Sequence, residues 1–274
     1  MPATDRTVGH AGPVRGFLAG LAAVLVFFTA TAGLAGAVGL TLLDPHRAGD
    51  VVATALGESD LASRILGRVV PGYTTLDPST RAAVRGVVRA QPTLDAARRV
   101  EFDASTGKVD LQPLRQEVVD ALRQAGQPRL AATVAHDERG SVVTVPMKDL
   151  NRYRDARELS RRAALLGGLA TLVLAGVALL SSRHRLRTGR SVGVAVALAA
   201  LVVGAAYWLL PGAAQSVGSN DAAKVASALL DLARPRVLVI LGSALGVGVL
   251  LILTPLIARP FQRARPAPGT SQGS

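Results

Sequence analysis

The stretch from Phe17 to Leu43, FLAGLAAVLVFFTATAGLAGAVGLTLL, contains 27 consecutive uncharged residues. A helix needs about 20 apolar residues to cross a hydrocarbon core of about 30 Å, so this run is long enough to span a membrane. Three further uncharged runs meet the same requirement. They contain 20, 20 and 22 residues and cover Ala163–Ser182, Ser191–Leu210 and Val237–Ala258. The sequence therefore predicts an integral membrane protein, mainly α-helical, with four transmembrane helices.

The first run has an alternative interpretation as a secretory signal peptide. Arg6 and Arg15 precede it, and Ala30-Thr31-Ala32 has the small residues that signal peptidase accepts. The apolar part of a cleavable signal usually covers about 7 to 15 residues, and this run is longer. We therefore expect an uncleaved first span. A mature N-terminus near Gly33 would contradict it.

The net charge of +12 reflects membrane topology rather than nucleic-acid binding. The middle of the chain, 44–162, is nearly balanced, with 19 basic and 16 acidic residues. Nine arginines lie in the N-terminal segment, in the loop between spans two and three, and in the C-terminal tail. Because basic residues accumulate on the cytoplasmic side, both termini and that loop are predicted to be cytoplasmic. The chain has no basic-plus-aromatic module of the kind that binds nucleic acid.

A second group of arginines opposes this orientation. Five of them crowd the approach to span two: Arg152, Arg154, Arg157, Arg161 and Arg162. Counted with Arg47 and with Lys224, Arg234 and Arg236 of the loop before span four, they make nine basic residues on each side. We discount them because long translocated domains largely escape the rule. Tyr207 and Trp208, at the outer end of span three, fit an aromatic interfacial anchor.

The segment 44–148 has the size of a typical small domain and is predicted to be extracytoplasmic. Asp77-Pro78 is an N-cap followed by proline, which predicts a helix through Ala90. Pro92-Thr93 begins a second helix. A third begins at Pro113, presents Leu114, Val118 and Leu122 on one face, and ends at Gly126.

Two hairpins complete the prediction for this domain. Arg99–Asp103 is expected to pair with Lys108–Leu111 across a turn, and Ala131–Ala135 with Ser141–Val145. The fold class is therefore a membrane protein with a small α+β domain, and an all-α domain is the alternative.

From Met147 the pattern is helical and continues into span two, with Arg154–Glu158 and Glu158–Arg162 as pairs on an exposed stalk. A continuous helix would couple the domain mechanically to the membrane. After span three, Ser219 or Asn220 is expected to cap a separate amphipathic helix over Ala222–Ala233.

The sequence contains no recognisable catalytic, cofactor-binding or metal-binding pattern. The chain has no cysteine, and its four histidines are far apart: His10, His46, His136 and His184. His136-Asp137-Glu138 is read as a solvated turn. Carboxylates in the inserted domain are plentiful, but no pair is selected. We predict no enzyme activity, no cofactor and no metal.

Two repeated patterns have a functional and a structural interpretation. Arg81, Arg85 and Arg89 form a basic stripe that could touch anionic lipid or an acidic wall polymer, or could be the solvated back of a helix whose front is Val84, Val87 and Val88. The GxxxG pairs Gly16/Gly20 and Gly242/Gly246 permit close helix crossing, for which we expect intramolecular packing rather than a dimer.

The arrangement resembles a group of uncharacterised actinobacterial membrane proteins with one span, an extracytoplasmic domain and three closely spaced spans. The resemblance rests on GKVDLQPLRQEVVDAL (Gly107–Leu122) and VTVPMKDLNRYRDARELSRRAALL (Val143–Leu166). It implies no activity or cofactor. In topology alone the chain also resembles FtsX- and MacB-type permeases, although its N-terminal segment is shorter and only a short loop could dock an ATPase.

These patterns favour a non-enzymatic plasma-membrane protein whose outer domain contacts envelope components or a partner protein. The runner-up is a permease or an accessory subunit of an ABC-type transporter or mechanotransmission complex. The lipid bilayer is the one certain partner, and a homo-oligomer stays open. The expected divisions are 1–16 (N-terminus), 17–43 (span one), 44–148 (outer domain), 149–182 (stalk and span two), 183–190 (basic loop), 191–210 (span three), 211–236 (outer loop), 237–258 (span four) and 259–274 (disordered tail).

Overall fold

The computed structural model describes residues 12–57, 59–137, 141–182, 185–217 and 220–263. It contains four long helices that are apolar enough to cross a membrane, so the chain is a multi-pass membrane protein. The candidate spans are Gly20–Leu42, Met147–Ser181, Arg187–Ala213 and Ala226–Thr254, each of which contains an apolar stretch long enough to cross a membrane. The complete helices are α1 (Gly12–Leu42), α8 (Met147–Ser181), α9 (Arg185–Val217) and α10 (Asn220–Arg263).

The predicted helix over Ala222–Ala233 is present, but it is continuous with span four, and most of the expected loop 211–236 is helical. α9 continues through Pro211 to Val217, and α10 runs without a break from Asn220 through Pro235. The physical reason lies in the burial of α10. Leu230, Ala233 and Val237 are all buried at helical spacing, so one packed stripe runs across the proline. This packing holds the helix together although proline removes one of its hydrogen bonds.

The remaining elements belong to the inserted domain, which combines short helices with one small sheet. The fold class is therefore the predicted α+β domain on a mainly α-helical membrane protein, and the all-α alternative is wrong. The helices are two short 3-10 turns (Pro45–Arg47 and Tyr73–Thr75), α2 (Ala48–Gly57), α3 (Ser59–Val69), α4 (Pro78–Val88), α5 (Gln91–Arg98), α6 (Gln112–Gln124) and α7 (Pro128–His136). The strands are β1 (Glu101–Asp103), β2 (Lys108–Asp110) and β3 (Val142–Thr144).

The capping signals read from the sequence are confirmed. The Asp77 carboxylate accepts hydrogen bonds from the backbone N–H groups of Ser79 and Thr80, both at 3.0 Å, and so caps α4. Gly126 follows α6 with a φ of 72°, the left-handed conformation that ends many helices. Leu114, Val118 and Leu122 are all buried on one face of α6.

One of the two predicted hairpins is confirmed and the other is wrong. β1 and β2 are antiparallel, with Phe102 opposite Val109. β3 pairs with β2 instead of with residues 131–135, which belong to α7. Helix formation prevails there because Pro128 occupies the first turn, where its missing N–H is not needed, and because Ala131 and Val134 are buried at helical spacing.

The chain divides into two compact units. The membrane unit comprises Met1–Val38, Ser160–Tyr207 and Leu238–Ser274, and the polar unit comprises Gly39–Leu159 and Trp208–Val237. Because α8 is one helix, its first turns belong to the polar unit and the rest to the membrane unit. The prediction of unbroken helix into span two is confirmed.

The polar unit has an aliphatic core of its own. Seventeen buried residues form it, mainly valines, leucines and alanines from α2 to α7. Arg115 of α6 is buried as well, and its guanidinium donates from Nε and Nη2 to the Val134 carbonyl oxygen at 2.9 and 2.5 Å. This bond ties α6 to the last turn of α7, where helix carbonyls lack partners of their own.

The membrane unit is held by close backbone approach rather than by large side chains. A methyl group added at Gly33 of α1 would lie 2.9 Å from the backbone nitrogen of Gly168 in α8, and one added at Gly36 would lie 2.6 Å from the Ser160 carbonyl oxygen. Gly193 and Gly248 bring α9 and α10 together in the same way. Such contacts are typical of helices packed in lipid.

Candidate functional site: a polar junction beside the spans

A polar cluster of the polar unit that joins distant parts of the chain surrounds Asp44, the second residue after α1. Its carboxylate accepts from the His46 backbone N–H at 3.2 Å and so caps the turn that follows α1. The same carboxylate also makes two ion pairs, with Arg47 Nε at 3.8 Å and with Arg236 Nη1 at 3.3 Å. One carboxylate therefore joins the residues just after the first span to α10. We call Asp44, Arg47, Tyr153, Arg157, Leu232 and Arg236 the junction.

Arg47 provides a second connection from the same turn to α10. It is buried, and its Nη1 donates to the Leu232 carbonyl oxygen at 2.9 Å. A buried guanidinium is stabilised only when its charge and its N–H groups find partners. Asp44 supplies the charge and Leu232 the acceptor, so Arg47 is fixed between two elements that are 185 residues apart in sequence.

Tyr153 connects α8 to the end of α1. Its hydroxyl donates to the Leu43 carbonyl oxygen at 2.7 Å, and this satisfies one of the carbonyls left unpaired at the end of a helix. Its ring meets Phe102 of β1 edge to face, with centroids 5.4 Å apart. Tyr153 therefore contacts both the chain leaving α1 and the sheet of the polar unit.

Arg154, the next residue of α8, binds the loop between β1 and β2. The Arg154 guanidinium donates to the carbonyl oxygens of Ala104, at 3.0 Å, and Ser105. Leu150 is fully buried against Gly107, whose φ of 72° completes that turn. The predicted Arg154–Glu158 pair placed Arg154 on an exposed stalk. In the structure Arg154 is half-buried, and its partners are backbone atoms of the sheet.

The exposed face of the sheet carries an open groove of about 560 Å³, and two of its three carboxylates, Asp103 and Asp110, have structural roles. Asp103 accepts from the Ser105 backbone N–H at 2.7 Å and from the hydroxyls of Ser105 and Thr106 at 2.6 and 2.7 Å. These bonds, led by the Ser105 hydroxyl, hold the pKa of Asp103 well below its usual range. Asp110 accepts from the Gln112 N–H at the start of α6.

The two histidines that the structure describes, His46 and His136, lie in separate elements. His46 lies in the turn after α1, and His136 ends α7 with its Nδ1 2.9 Å from the Ala132 carbonyl oxygen. His10 and His184 lie outside the described residues. Among the residues that the structure describes, no group of three or more His, Asp or Glu side chains could hold a metal ion.

The arginine stripe of α4 is only partly the solvated back of a helix. Val84 and Val88 are buried, as that interpretation requires, and Arg85 and Arg89 are exposed. Arg81 differs, because its Nε is buried and has no hydrogen-bond partner in the described part of the chain. The stripe therefore reduces to two exposed arginines.

The GxxxG prediction is wrong for the glycines whose surroundings are described. A methyl group added at Gly20, Gly242 or Gly246 would meet no atom of the described chain within 4 Å. The close crossings use isolated glycines, Gly33, Gly36 and Gly193 among them, because a helix contact depends on which face meets a neighbour and not on the motif alone.

Tyr207 and Trp208, the aromatic pair at the end of span three, have different surroundings. Tyr207 is buried, whereas Trp208 is 59% exposed and lies under the Arg234 guanidinium of α10, 4.8 Å from its ring centre. A cation over an indole face is a favourable pair, and Trp and Arg are both residues of membrane interfaces.

Sequence reasoning missed the junction because its members are distant in the chain. Asp44 and Arg236 are 192 residues apart, and neither belongs to a motif. Their one sequence signal is position, since each lies next to the end of a charge-free run.

Fold and junction together define a four-span membrane protein with an inserted α+β domain. Comparison with protein-family models, with curated proteins and with solved structures finds no match. The two resemblances seen in the sequence therefore remain expectations.

Proposed function

We propose that the chain is a non-enzymatic plasma-membrane protein whose polar unit faces the outside of the cell and binds an envelope component or a partner protein. The observation that carries the proposal is the junction. Within the polar unit, Tyr153, Arg47 and Asp44 fasten α8, the turn after α1 and α10 to one another. Such fastening suits a domain that presents a surface of fixed shape to a binding partner.

The carboxylates of the groove support a binding role over a catalytic one. A carboxylate acting as a general acid or base needs a pKa near the working pH and a free path to substrate. Hydrogen bonds instead lower the pKa of Asp103 and assign it to the turn, while Asp110 begins α6. The exposed strand residues Glu101, Lys108 and Val142 are the surface that a partner would contact.

Cysteine labelling tests the orientation, and the chain has no native cysteine to interfere. Thr144→Cys lies on the exposed face of β3, and Ser274→Cys places a thiol at the C-terminus. A membrane-impermeant maleimide applied to intact cells should label Thr144→Cys and leave Ser274→Cys unlabelled until lysis. The reverse pattern would contradict an external polar unit.

Photo-crosslinking tests the binding role in the same cells. A photoreactive residue at Val142 should give a defined adduct, whereas one at Arg89, the exposed residue that follows α4, serves as the matched control. Absence of any Val142-specific adduct with protein or cell-wall polymer would contradict the proposal.

A transport-accessory role is the second candidate, and the continuity of α8 favours it. A single helix from Met147 to Ser181 could transmit force between the polar unit and span two. Copurification of a stoichiometric ATPase from native membranes would support this candidate against the first.

A further inference from the structure

The junction carries more positive than negative charge. Arg47 and Arg236 both pair with Asp44, and the Tyr153 hydroxyl bonds the carbonyl of Leu43, the residue before Asp44. Arg157 follows Tyr153 by one turn of α8, on the same face of the helix, so it adds a third guanidinium on this side of the junction. Arg47 is buried and committed to Asp44 and Leu232, which leaves the charges of Arg157 and Arg236 for an external anion.

Both of these arginines can still donate hydrogen bonds outward. The Arg236 side chain is 66% exposed and uses one nitrogen on Asp44, although a guanidinium has five N–H donors. Arg157 is exposed and makes no hydrogen bond or ion pair with any residue that the structure describes. Guanidinium groups bind phosphate oxygens through paired, charge-assisted hydrogen bonds.

The position of the junction selects the kind of anion. Asp44 comes two residues after α1 ends at Leu42, and Arg236 comes directly before the uncharged run that begins at Val237. Residues at such positions lie at the level of lipid headgroups, where basic side chains attract anionic lipids.

We propose that Arg157 and Arg236 bind the phosphate of an anionic lipid headgroup at the junction. Neighbouring acids do not cancel this site. Asp155 and Glu158 lie about 160° and about 100° around α8 from Arg157, and Asp231 lies about 140° around α10 from Arg236. The proposal does not depend on the orientation of the polar unit or on its partner, so each can fail without the other.

Native mass spectrometry of the purified full-length protein tests the site. The protein in neutral detergent is titrated with phosphatidylglycerol and, separately, with phosphatidylcholine. We expect wild type to prefer phosphatidylglycerol at least about fivefold. The double variant Arg157→Gln/Arg236→Gln should bind it about 25-fold more weakly, which is about fivefold for each arginine. Equal affinity of wild type for the two lipids would overturn the proposal.

The matched control removes the same charge elsewhere. Arg85→Gln/Arg89→Gln changes two exposed arginines, one in α4 and one directly after it, and should alter phosphatidylglycerol affinity by less than about twofold. A loss as large as that of the junction variant would mean a general charge effect and would contradict the site. Millimolar inorganic phosphate should not displace the lipid; displacement would assign the site to a soluble anion instead.

A gain-of-binding variant tests the same site in the opposite direction, and since it also removes the charge partner of buried Arg47, its binding is measured on protein shown by circular dichroism to be folded. Asp44→Asn retains an oxygen for the His46 N–H but no longer neutralises Arg236. It should tighten phosphatidylglycerol binding, and unchanged or weaker affinity would contradict the proposal.

Discussion

The two units of this chain are assembled by opposite uses of side-chain size. In the membrane unit, α1 meets α8 at Gly33, Gly36 and Gly167, where the backbones touch. In the polar unit, α6 meets its neighbours through buried leucines and valines such as Leu122 and Val118. The difference follows from the solvent. Burying apolar side chains is favourable when the alternative is water, whereas lipid offers a leucine nearly the same surroundings as another helix does.

The same contrast governs the polar contacts. Between α1 and α8, one hydroxyl pair is described, Thr171 to Thr29 at 3.0 Å, and each threonine also bonds its own helix. The polar unit instead uses charged and aromatic side chains that reach distant backbone, as Arg47, Arg115 and Arg154 do. Specific polar contacts therefore set the geometry of the polar unit, and backbone fit sets that of the membrane unit.

Truncating leucines should give the largest effect and should separate the two units. Leu122→Ala removes a fully buried side chain of the polar unit and should lower its free energy of unfolding by about 2–5 kcal/mol. Leu172→Ala in α8 removes a side chain that is 73% exposed within the chain, and its effect should be small. Thermal unfolding followed by circular dichroism measures both. Equal losses would remove the distinction between the units.

Replacing a glycine by a larger residue should destabilise the membrane unit, which leucine truncation is expected to affect little. Gly36→Val places a side chain against the backbone of α8 and should destabilise the α1–α8 contact by about 1–3 kcal/mol, because backbone cannot move aside as a side chain can. Gly176→Val in α8 has no atom of the described chain within 4 Å of the added carbon and is the matched control.

A disulfide reports the outcome of the glycine experiment. Thr29→Cys and Thr171→Cys should form a crosslink in the wild-type background, where the two hydroxyls are 3.0 Å apart. Gly36→Val should abolish the crosslink and Gly176→Val should preserve it. Crosslinking that survives Gly36→Val would show that this backbone contact does not hold the pair.

Removing the hydroxyl group of a tyrosine should change the free energy of unfolding by a smaller amount. The two tyrosines of the polar unit, Tyr153 and Tyr73, should respond differently. Tyr153→Phe keeps the contact with Phe102 but loses the bond to the Leu43 carbonyl, for a loss of about 0.5–1.5 kcal/mol. Tyr73→Phe removes a buried hydroxyl that has no partner in the described part of the chain, so stability should hold or rise. Chemical unfolding curves compare the pair. A larger loss for Tyr73→Phe would contradict the role given to Tyr153.

Local signals predicted the elements of this fold, and distant contacts explain what they missed. The uncharged runs predicted the four spans, and Asp77-Pro78 and Gly126 predicted the ends of two helices, because these features act within a few residues. The strand partner of Ser141–Val145 could not be read locally. Residues 131–135 are apolar enough for a strand. They form a helix because helical spacing buries both Ala131 and Val134.

The junction could not be predicted from the sequence either, because its contacts join residues that are far apart in the chain. In the sequence Asp44 is only the first charged residue after span one, and its ion pair appears only when α10 brings Arg236 to it. The expected loop at 211–236 is helical because α10 continues across Pro235, where Leu230 and Val237 are buried on either side of the proline. Tertiary contact overrides a local signal in both cases.

Lowering the pH should weaken the polar unit and leave the membrane unit unchanged, and this is the smallest of the expected effects. Hydrogen bonds from Ser79 and Thr80 hold the pKa of Asp77 well below its usual range, and those from Ser105 and Thr106 do the same for Asp103. A carboxyl group whose pKa is lowered by folding contributes stability that is fully present above its unfolded pKa, near 3.8, and is lost as the pH falls below it. The polar unit should therefore weaken below about pH 4.

Asp77→Asn keeps the cap but cannot titrate, so its unfolding midpoint should depend less on pH in this range than that of wild type. The Thr29→Cys/Thr171→Cys crosslink, which lies among uncharged residues of the membrane unit, should form equally after incubation at pH 3 and at pH 7 and reoxidation at one common pH. Unchanged pH dependence in Asp77→Asn would contradict the assignment to Asp77. A crosslink lost at pH 3 would mean that acid reaches the membrane unit too, and that the two units do not respond separately.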